Sequence, residues 1–217
     1  MTLDPETERQ IAELSHDPRP LLVLDVDDVV LEFVRPFPRF LEMQGYSLSF
    51  NDFRLTGNIT EIATGRVLER ETVQGLLYAF FETQSDWQTV TDGASEVLET
   101  LSPHAEIVLL TAMPHRFRDT RRSHLQSLGL TYPLLTVELA KGPAIERLRG
   151  TGRRPVAFVD DQPKNLASAR QSVPDIHLFH LMADNSLRAF LPAPEPDVIV
   201  VRDWPDARPR IAQALDI

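Results

Sequence analysis

Three carboxylates follow one short apolar stretch near the start of the chain. Asp25, Asp27 and Asp28 come directly after the run 21–24, which is long enough for a buried strand. Asp25 and Asp27 are two residues apart, so both can converge on one point beyond the end of that strand. Carboxylates concentrated in this way are unfavourable without a cation, and hard oxygen ligands suit Mg²⁺. Taken alone, the pattern is equally typical of a solvated loop or a helix cap.

A hydroxyl and a lysine follow two further apolar stretches. Thr111 comes after the run 107–110, and its hydroxyl with the N–H of Ala112 can hold a phosphate oxygen. A threonine in this position is also a common helix cap. Lys141 comes after the run 134–137, and only it and Lys164 are lysines among the 22 basic residues. A lysine is a compact charge that can pair with a carboxylate and a phosphoryl oxygen, although a solvent-exposed lysine is the alternative.

The last group of polar residues follows the run 156–159. It consists of Asp160, Asp161 and, shortly afterwards, Asn165. If the four strand ends are neighbours in one sheet, all four groups share one crevice, because ligands bind beyond the carboxyl ends of parallel strands. Each motif is weak by itself. Their joint occurrence favours a single site over four unrelated loops.

Six short apolar runs are available to build that sheet. They are rich in Val, Ile and Leu and cover 21–24, 107–110, 134–137, 156–159, 176–179 and 198–201. Continuous apolar runs of this kind are typical of parallel strands covered on both faces. Helical patterns lie between them, with starts near Ala94, Pro143 and Pro163 and a last helix from about Pro205 to Leu215. The sequence therefore predicts an α/β fold with a doubly wound, mainly parallel, Rossmann-like sheet of about six strands.

One connection is too long for a simple crossover. The segment 31–90 separates the first strand from the helix near Ala94, whereas a crossover needs only about a dozen residues. Apolar residues at helical spacing predict one helix from near Pro36 or Pro38 and another over 73–81. We predict an α/β core at 1–30 and 91–217 and a small, mostly α-helical cap at 31–90, called the cap segment below. Its Phe residues are expected to pack between its helices.

The order Asp-x-Asp, Thr, Lys and Asp-Asp, each after an apolar strand, resembles the haloacid dehalogenase (HAD) superfamily. The resemblance covers about 20–30 and 90–205, and the family places a helical cap after its first motif. It implies that Asp25 is a nucleophile that takes a phosphoryl group as an aspartyl-phosphate, and that Asp27 is the general acid and base. Thr111 and Lys141 would bind the phosphoryl group and steady the nucleophile. The implied phosphate-binding set is Asp28, Thr111, Ala112 and Lys141.

The resemblance also implies a Mg²⁺ cofactor. The ion would lie on Asp25, the main-chain carbonyl of Asp27 and Asp161, with Asp160 and Asn165 close behind. The predicted metal set is therefore Asp25, Asp27, Asp160 and Asp161. Asp27 also supplies the proton that a leaving alkoxide needs, which favours phosphate ester hydrolysis over dehalogenation.

The first motif departs from the commoner family pattern, because Asp28 and Val29 replace Gly-Thr. The run from Asp25 to Phe33 also resembles the 5′-deoxyribonucleotidase branch. We predict a Mg²⁺-dependent phosphatase for a small phosphomonoester, such as a nucleotide or sugar phosphate. A phosphomutase with the same Asp25 chemistry is one alternative. A receiver-type signalling module is another, but receivers carry their acidic pair on the first strand and are about half as long.

Composition limits the remaining classes of partner. The chain has 217 residues, a formal net charge of −10 and no cysteine, so disulfides and thiolate metal sites are excluded. The negative field disfavours binding to a nucleic-acid polymer. No apolar run approaches the ~20 residues of a membrane-spanning helix. We therefore expect a soluble, cytoplasmic protein that acts on a small phosphorylated metabolite, and the oligomeric state is left open.

Two further groups of residues are weaker candidates for substrate contact. His115 follows Thr111, but a surface histidine at a helix start is the commoner situation. One or two arginines of the cap segment are candidates to reach the remainder of the substrate, although a solvated position is the ordinary role of each. These arginines are Arg35, Arg39, Arg54, Arg66 and Arg70.

Overall fold

The computed structural model describes residues 2–15, 17–52, 54–152 and 154–217. Within them lie the strands β1 (Leu21–Leu24), β2 (Tyr46–Leu48), β3 (Ile59–Glu61), β4 (Glu106–Thr111), β5 (Leu134–Thr136), β6 (Val156–Asp160), β7 (His177–His180) and β8 (Ile199–Val200). Six of these strands form one parallel sheet in the order β5-β4-β1-β6-β7-β8. The remaining two, β2 and β3, form a separate antiparallel pair.

The six strands of the parallel sheet are the six runs predicted from the sequence, with ends shifted by at most one residue. β1 lies in the middle, where Leu21 is in register with Glu106 on one side and Val156 on the other. Every residue of β1 and β6 is buried, as expected for strands covered on both faces. The predicted parallel α/β sheet is confirmed.

Eight α-helices lie within the described residues. They are α1 (Pro5–Ala12), α2 (Pro36–Met43), α3 (Arg70–Glu82), α4 (Ala94–Leu101), α5 (Arg118–Ser127), α6 (Lys141–Arg149), α7 (Pro163–Ser172) and α8 (Trp204–Leu215). Helices α2 and α3 belong to the cap segment, and the other six cover the two faces of the sheet. Leu22 and Leu24 of β1 pack in the core that contains α4 and α8, whereas Leu21 and Val23 pack in the core that contains α1, α6 and α7. Successive side chains of a strand point to opposite faces, so the sheet is doubly wound as predicted. In the described part of the chain, every helix is too short or too polar to cross a membrane.

Helix α6 begins at Lys141 and not at Pro143, where the sequence pattern placed its start. A proline is tolerated within the first helical turn, because the N–H groups of that turn have no intrahelical acceptor. Gly142, the residue after Lys141, lies against α7, and a Cβ added to it would be 2.1 Å from the carbonyl oxygen of Ser168. The close approach of α6 and α7 therefore fixes the position of Lys141.

The cap segment contains the two predicted helices, α2 and α3, together with the β2–β3 pair. The pair was not predicted, because its strands are short and mostly half-buried and therefore show no apolar alternation. Between the helices, the ring of Phe80 lies 5.2 Å from that of Phe37 and 5.4 Å from that of Phe40. These Phe residues pack between helices as expected.

The two ends of the cap segment lie side by side. The N–H of Glu32 donates to the carbonyl of Thr89 at 2.9 Å, and the N–H of Thr91 donates to the carbonyl of Val30 at 2.9 Å. The chain therefore leaves the sheet and returns to it at one place, just beyond the carboxyl end of β1. Helix α3 consequently faces that edge of the sheet across a cleft.

Candidate active site

The carboxyl ends of three adjacent strands bring the predicted polar residues together. Asp25 follows β1, Thr111 is the last residue of β4, and Asp160 is the last residue of β6. Because β1 lies between β4 and β6, the three residues lie side by side at the middle of the sheet edge. A cleft of about 1020 Å³ opens there towards the cap segment. Its volume is that of a small-molecule site.

Lys141 pairs with two carboxylates at this edge. Its Nζ lies 2.7 Å from Asp25 Oδ1 and 2.7 Å from Asp160 Oδ2, and the residue is 1% exposed. Burial by itself would lower the pKa of Lys141, but the Asp160 and Asp25 carboxylates outweigh it and raise that pKa above its ordinary value. Lys141 is therefore a buried cation beside Asp25. The solvent-exposed alternative for Lys141 is wrong.

Asp25, Asp160 and Asp161 form a compact acidic cluster. Each offers one carboxylate oxygen, and the three oxygens lie within 4.8 Å of one another. Burial is the main cause that raises the pKa of Asp25 and of Asp161, and repulsion from the Asp160 carboxylate raises both further. A divalent cation would offset the unfavourable burial of these carboxylates and the repulsion between them. Buried, convergent carboxylate oxygens are the donors that such a hard cation prefers, so the cluster fits one.

Asp160 is the most fully hydrogen-bonded member of this cluster. Its Oδ1 accepts from the N–H of Gln162 at 2.7 Å and from Asn165 Nδ2 at 3.0 Å, while Oδ2 accepts from Lys141. Asp161 Oδ2 accepts from Gln162 Nε2 at 2.7 Å. Since both oxygens of Asp160 are already engaged, this residue mainly orients Lys141. Asp25 and Asp161 are the carboxylates better placed for direct contact with a cation.

Asp27 has a different set of partners. Its Oδ1 lies 2.9 Å from Arg121 Nη2 and accepts from Gln88 Nε2 at 2.9 Å. Its Oδ2 accepts from the Thr111 hydroxyl at 3.4 Å. The side chain of Asp27 is 22% exposed, whereas that of Arg121 is wholly buried. The side chains of Asp25 and Asp27 therefore use separate cationic partners, and the Asp27 carboxylate lies outside the acidic cluster.

The sequence did not identify Arg121 and Gln88. Gln88 Oε1 accepts from Arg121 Nη2 at 3.1 Å, and Gln88 Nε2 also donates to the carbonyl of Glu32 at 3.0 Å. His124 Nε2 lies 3.1 Å from the Gln88 carbonyl oxygen. Arg121, His124 and Leu125 form the buried face of α5, and their helical spacing is the one signal of this face in the sequence. A helix with so few apolar residues is, however, more typical of a solvated surface.

Asp28 lies in the turn that follows β1. Its φ of 62° is in the left-handed region, which glycine adopts most readily and which aspartate tolerates. Its N–H donates to the carbonyl of Leu31 at 2.7 Å, and its Oδ1 accepts from the N–H of Val34 at 3.2 Å. Burial raises the pKa of Asp28 to about 6. Because the N–H and Oδ1 are engaged inside the turn, we do not include Asp28 among the proposed phosphate ligands.

Thr111 is buried and Ala112 is exposed, and both line the cleft. The Thr111 hydroxyl oxygen accepts from the N–H of Met113 at 3.2 Å, which fixes the start of the turn. A short 3-10 turn over His115–Phe117 follows, and α5 begins only at Arg118. The helix-cap alternative for Thr111 is therefore wrong.

His115 lies outside the cleft. Its Nδ1 is 2.6 Å from Thr136 Oγ1 and its Nε2 is 2.9 Å from Asp4 Oδ1, so the ring links the N-terminal part of the chain to β5. Of the five arginines considered in the cap segment, Arg54 and Arg70 line the cleft. These two are the ones placed to contact a substrate.

No protein-family model and no curated protein matches the sequence. Solved structures, in contrast, share the fold. A predicted phosphoglycolate phosphatase from Haemophilus somnus 129PT matches with a TM-score of 0.59 and 12% identity, over 92% of this chain and 100% of that chain. A Thermotoga maritima protein described as a β-phosphoglucomutase has a TM-score of 0.58 and 15% identity, over 89% of this chain and 99% of that chain. YfnB from Bacillus subtilis, described as a HAD-hydrolase and solved with bound magnesium, has a TM-score of 0.59 and 15% identity, over 93% of this chain and 100% of that chain.

These similarities confirm the fold implied by the four motifs. The described chain shares its architecture with these three structures, of which YfnB is described as a HAD-hydrolase. Asp25, Thr111, Lys141 and Asp160 all lie at the carboxyl edge of its sheet.

Proposed function

We propose that the protein hydrolyses a small phosphomonoester, with Asp25 as the nucleophile and Mg²⁺ as the cofactor. The observation that carries this proposal is that Asp25, which lines the cleft together with Asp161, pairs with the buried Nζ of Lys141 at 2.7 Å. A buried ion pair is weak evidence for stability alone, because desolvation offsets the attraction between the charges. A fixed cation beside a carboxylate is, in contrast, well suited to an attack on phosphorus, where negative charge develops.

In the first step, a carboxylate oxygen of Asp25 attacks phosphorus and forms an aspartyl-phosphate. The bond between phosphorus and the leaving oxygen breaks, and Asp27 gives its proton to that oxygen. The Lys141 ammonium, the Thr111 hydroxyl and the N–H of Ala112 hold the phosphoryl oxygens and stabilise their charge. The alcohol then leaves.

In the second step, water hydrolyses the aspartyl-phosphate. Asp27 takes a proton from the attacking water, phosphate is released, and the carboxylate of Asp25 is restored. Asp27 thereby regains the proton that it gave in the first step, so the cycle balances. Arg121 and Gln88 hold Asp27 Oδ1 in place.

The acidic cluster is the proposed place for Mg²⁺. Asp25, the main-chain carbonyl of Asp27 and Asp161 would hold the ion, with Asp160 and Asn165 behind them. When bound, the ion neutralises negative charge on the cluster and on the phosphoryl oxygens. The hard oxygen donors and the similarity to the magnesium-bound YfnB structure support this choice of metal.

Release of inorganic phosphate from a panel of phosphomonoesters tests the proposal. We expect release with Mg²⁺ and its loss in excess EDTA. Asp25→Asn should abolish turnover, because an amide does not attack phosphorus, whereas Asp119→Asn on the exposed face of α5 should retain it. Substantial turnover by Asp25→Asn would place the nucleophile elsewhere. The absence of phosphate release from the whole panel would contradict the proposed activity.

Asp27→Asn separates the two steps. With p-nitrophenyl phosphate the leaving group barely needs a proton, so the first step should survive while the second lacks its base. We expect a burst of nitrophenolate approaching one equivalent per enzyme, followed by a much slower steady rate, and almost no burst with an alkyl phosphate. Equal losses for both substrates without a burst, at unchanged Mg²⁺ affinity, would remove Asp27 from the mechanism.

A phosphomutase is the second candidate, favoured by the similarity to the Thermotoga maritima structure. Asp25 would react in the same way, but the phosphoryl group would return to a hydroxyl of a sugar. Isomerisation of a sugar phosphate with little phosphate release would support this candidate. Steady phosphate release without a bisphosphate activator would contradict it.

A further inference from the structure

Helix α3 lines the cleft mainly with apolar side chains. Val73, Leu77 and Phe81 recur at helical spacing along α3, and all three line the cleft. Phe33 lines it from the chain that follows the Asp28 turn, and Phe50 lines it from the loop after β2. The wall of the cleft formed by the cap segment is therefore built mainly from aliphatic and aromatic side chains, and α3 adds the polar side chains of Arg70 and Gln74.

This wall is more than the interior of the cap segment. Phe37 and Phe80 are completely buried between the helices and form that interior. Leu77, Phe33 and Phe50 are only half-buried and lie at the cleft. Half-exposed apolar side chains around a cleft are stabilised when an apolar ligand covers them, because water is then displaced from both surfaces.

Tyr78 adds a fixed aromatic ring to the same wall. The guanidinium of Arg116 lies 4.0 Å from the centre of this ring. Gln74 Nε2 donates to the Tyr78 hydroxyl at 2.8 Å. With its hydroxyl already bonded and the ring held by a cation–π contact, Tyr78 offers a preorganised ring to a ligand.

Three cations that line the cleft are exposed to solvent. Arg54 is exposed and tied to Asp52, with Nε donating to Oδ2 at 2.8 Å. Arg70 and Lys164 also line the cleft, and both are exposed. A small acidic substrate would need a cation close to the leaving oxygen, whereas the buried side chains that α3 adds to the cleft, Val73 and Phe81, are apolar.

We infer that the substrate is a phosphomonoester whose alcohol carries an apolar ring close to the phosphoryl group. This inference rests on the proposed phosphatase activity and names the substrate class for the same site. The ring packs against the wall formed by α3, Phe33 and Phe50, while the phosphoryl group reaches Asp25 and Lys141. Leu77 is a specificity-determining residue in this arrangement.

Benzyl phosphate and ethyl phosphate form a suitable pair of probes, because their alcohols are similar in acidity and differ in the apolar ring. With Mg²⁺ present, kcat/KM for benzyl phosphate should exceed that for ethyl phosphate by about tenfold or more. Leu77→Asn should reduce this ratio, since an amide does not replace the lost apolar contact. Leu76→Asn makes the same change at the next position of α3, which does not line the cleft, and should leave the ratio unchanged.

Phosphoglycolate provides the acidic comparison and should be a poorer substrate than benzyl phosphate. Equal kcat/KM values for benzyl and ethyl phosphate would overturn the inference while phosphate release still supported the phosphatase. Faster hydrolysis of phosphoglycolate than of benzyl phosphate would also overturn the inference. So would a ratio of kcat/KM for benzyl phosphate to that for ethyl phosphate that is the same in Leu77→Asn as in the wild type. If none of the three esters releases phosphate while another phosphomonoester of the panel does, this inference fails and the proposed phosphatase stands; if the whole panel releases none, both fail.

Discussion

Asp27→Asn should reduce the stability of the protein as well as its activity. In the substrate-free protein, the side chain of Arg121 is wholly buried, and Asp27 Oδ1, at 2.9 Å, is its anionic partner. Removing one partner of a buried ion pair typically costs about 3–5 kcal/mol, because the other charge stays buried without compensation. Asp27 is itself 22% exposed, and Gln88 Oε1 remains as an acceptor at 3.1 Å. We therefore expect the free energy of unfolding to fall by about 2–3 kcal/mol.

Arg121→Met removes the other member of the Asp27–Arg121 ion pair, and with it the buried positive charge. Asp27 keeps its hydrogen bond from Gln88 and its contact with solvent, and the methionine side chain refills part of the space beside Phe81. We expect a loss of about 1–2 kcal/mol for this variant. The double variant Asp27→Asn/Arg121→Met buries no unpaired charge, so its loss should be smaller than the sum of the single losses by about 1–2 kcal/mol.

Urea unfolding in EDTA measures these free energies without a contribution from metal binding. Asp119→Asn is the matched control, because Asp119 pairs with Arg122 on the same helix at 3.6 Å but is 92% exposed. Its loss should be within about 0.5 kcal/mol of zero. If Asp27→Asn costs no more than this control, or if the two single losses simply add in the double variant, Asp27 does not compensate a buried charge.

The remaining predictions concern Lys141, its support and the metal. Lys141→Arg should lower kcat for p-nitrophenyl phosphate by on the order of 10²-fold, because a forked guanidinium does not fit a point-charge site; a rate near that of the wild type would contradict this. Gly142→Ala should lower the free energy of unfolding by more than about 2 kcal/mol, since its Cβ would lie 2.1 Å from the Ser168 carbonyl oxygen, whereas Gly152→Ala, with no atom within 4 Å, should change it little. Mg²⁺ at 100 times its Kd should stabilise the protein by about 2.7 kcal/mol, and Asp161→Asn should reduce this gain in a thermal melt. The gain should also decrease as the pH falls, because protons compete for cluster carboxylates whose pKa values are raised; an unchanged gain at low pH would contradict that assignment.

The sheet and its polar edge could be predicted because both signals are local in the sequence. A strand buried on both faces, such as β1 or β6, has to be continuously apolar, so four or five residues are enough to identify it. The residues that follow each strand then lie at the carboxyl edge whatever the strand order. Asp25, Thr111, Lys141 and Asp160 were found in this way.

The partners of Asp27 could not be predicted because they are set by tertiary contacts. Arg121 is 94 residues away along the chain and Gln88 is 61 residues away. Helix α5 carries Arg121 on its buried face, yet its sequence is strongly polar, so no apolar stripe marks that face. The conformation of Asp28 was missed for a related reason, since a left-handed φ at a non-glycine residue is visible only in the folded turn.

The turn after β1 explains why the two carboxylates of the first motif use different cations. Asp25 still belongs to the sheet edge, where its N–H donates to the Val159 carbonyl at 2.9 Å and its side chain lies beside Lys141. Asp27 lies beyond the strand, where the chain bends towards the cap segment and its carboxylate pairs with Arg121. The proposed nucleophile and the proposed proton carrier have to be oriented independently, because one attacks phosphorus and the other protonates the leaving oxygen at the other end of the breaking bond. Two buried cations on different helices, α6 and α5, provide that independence.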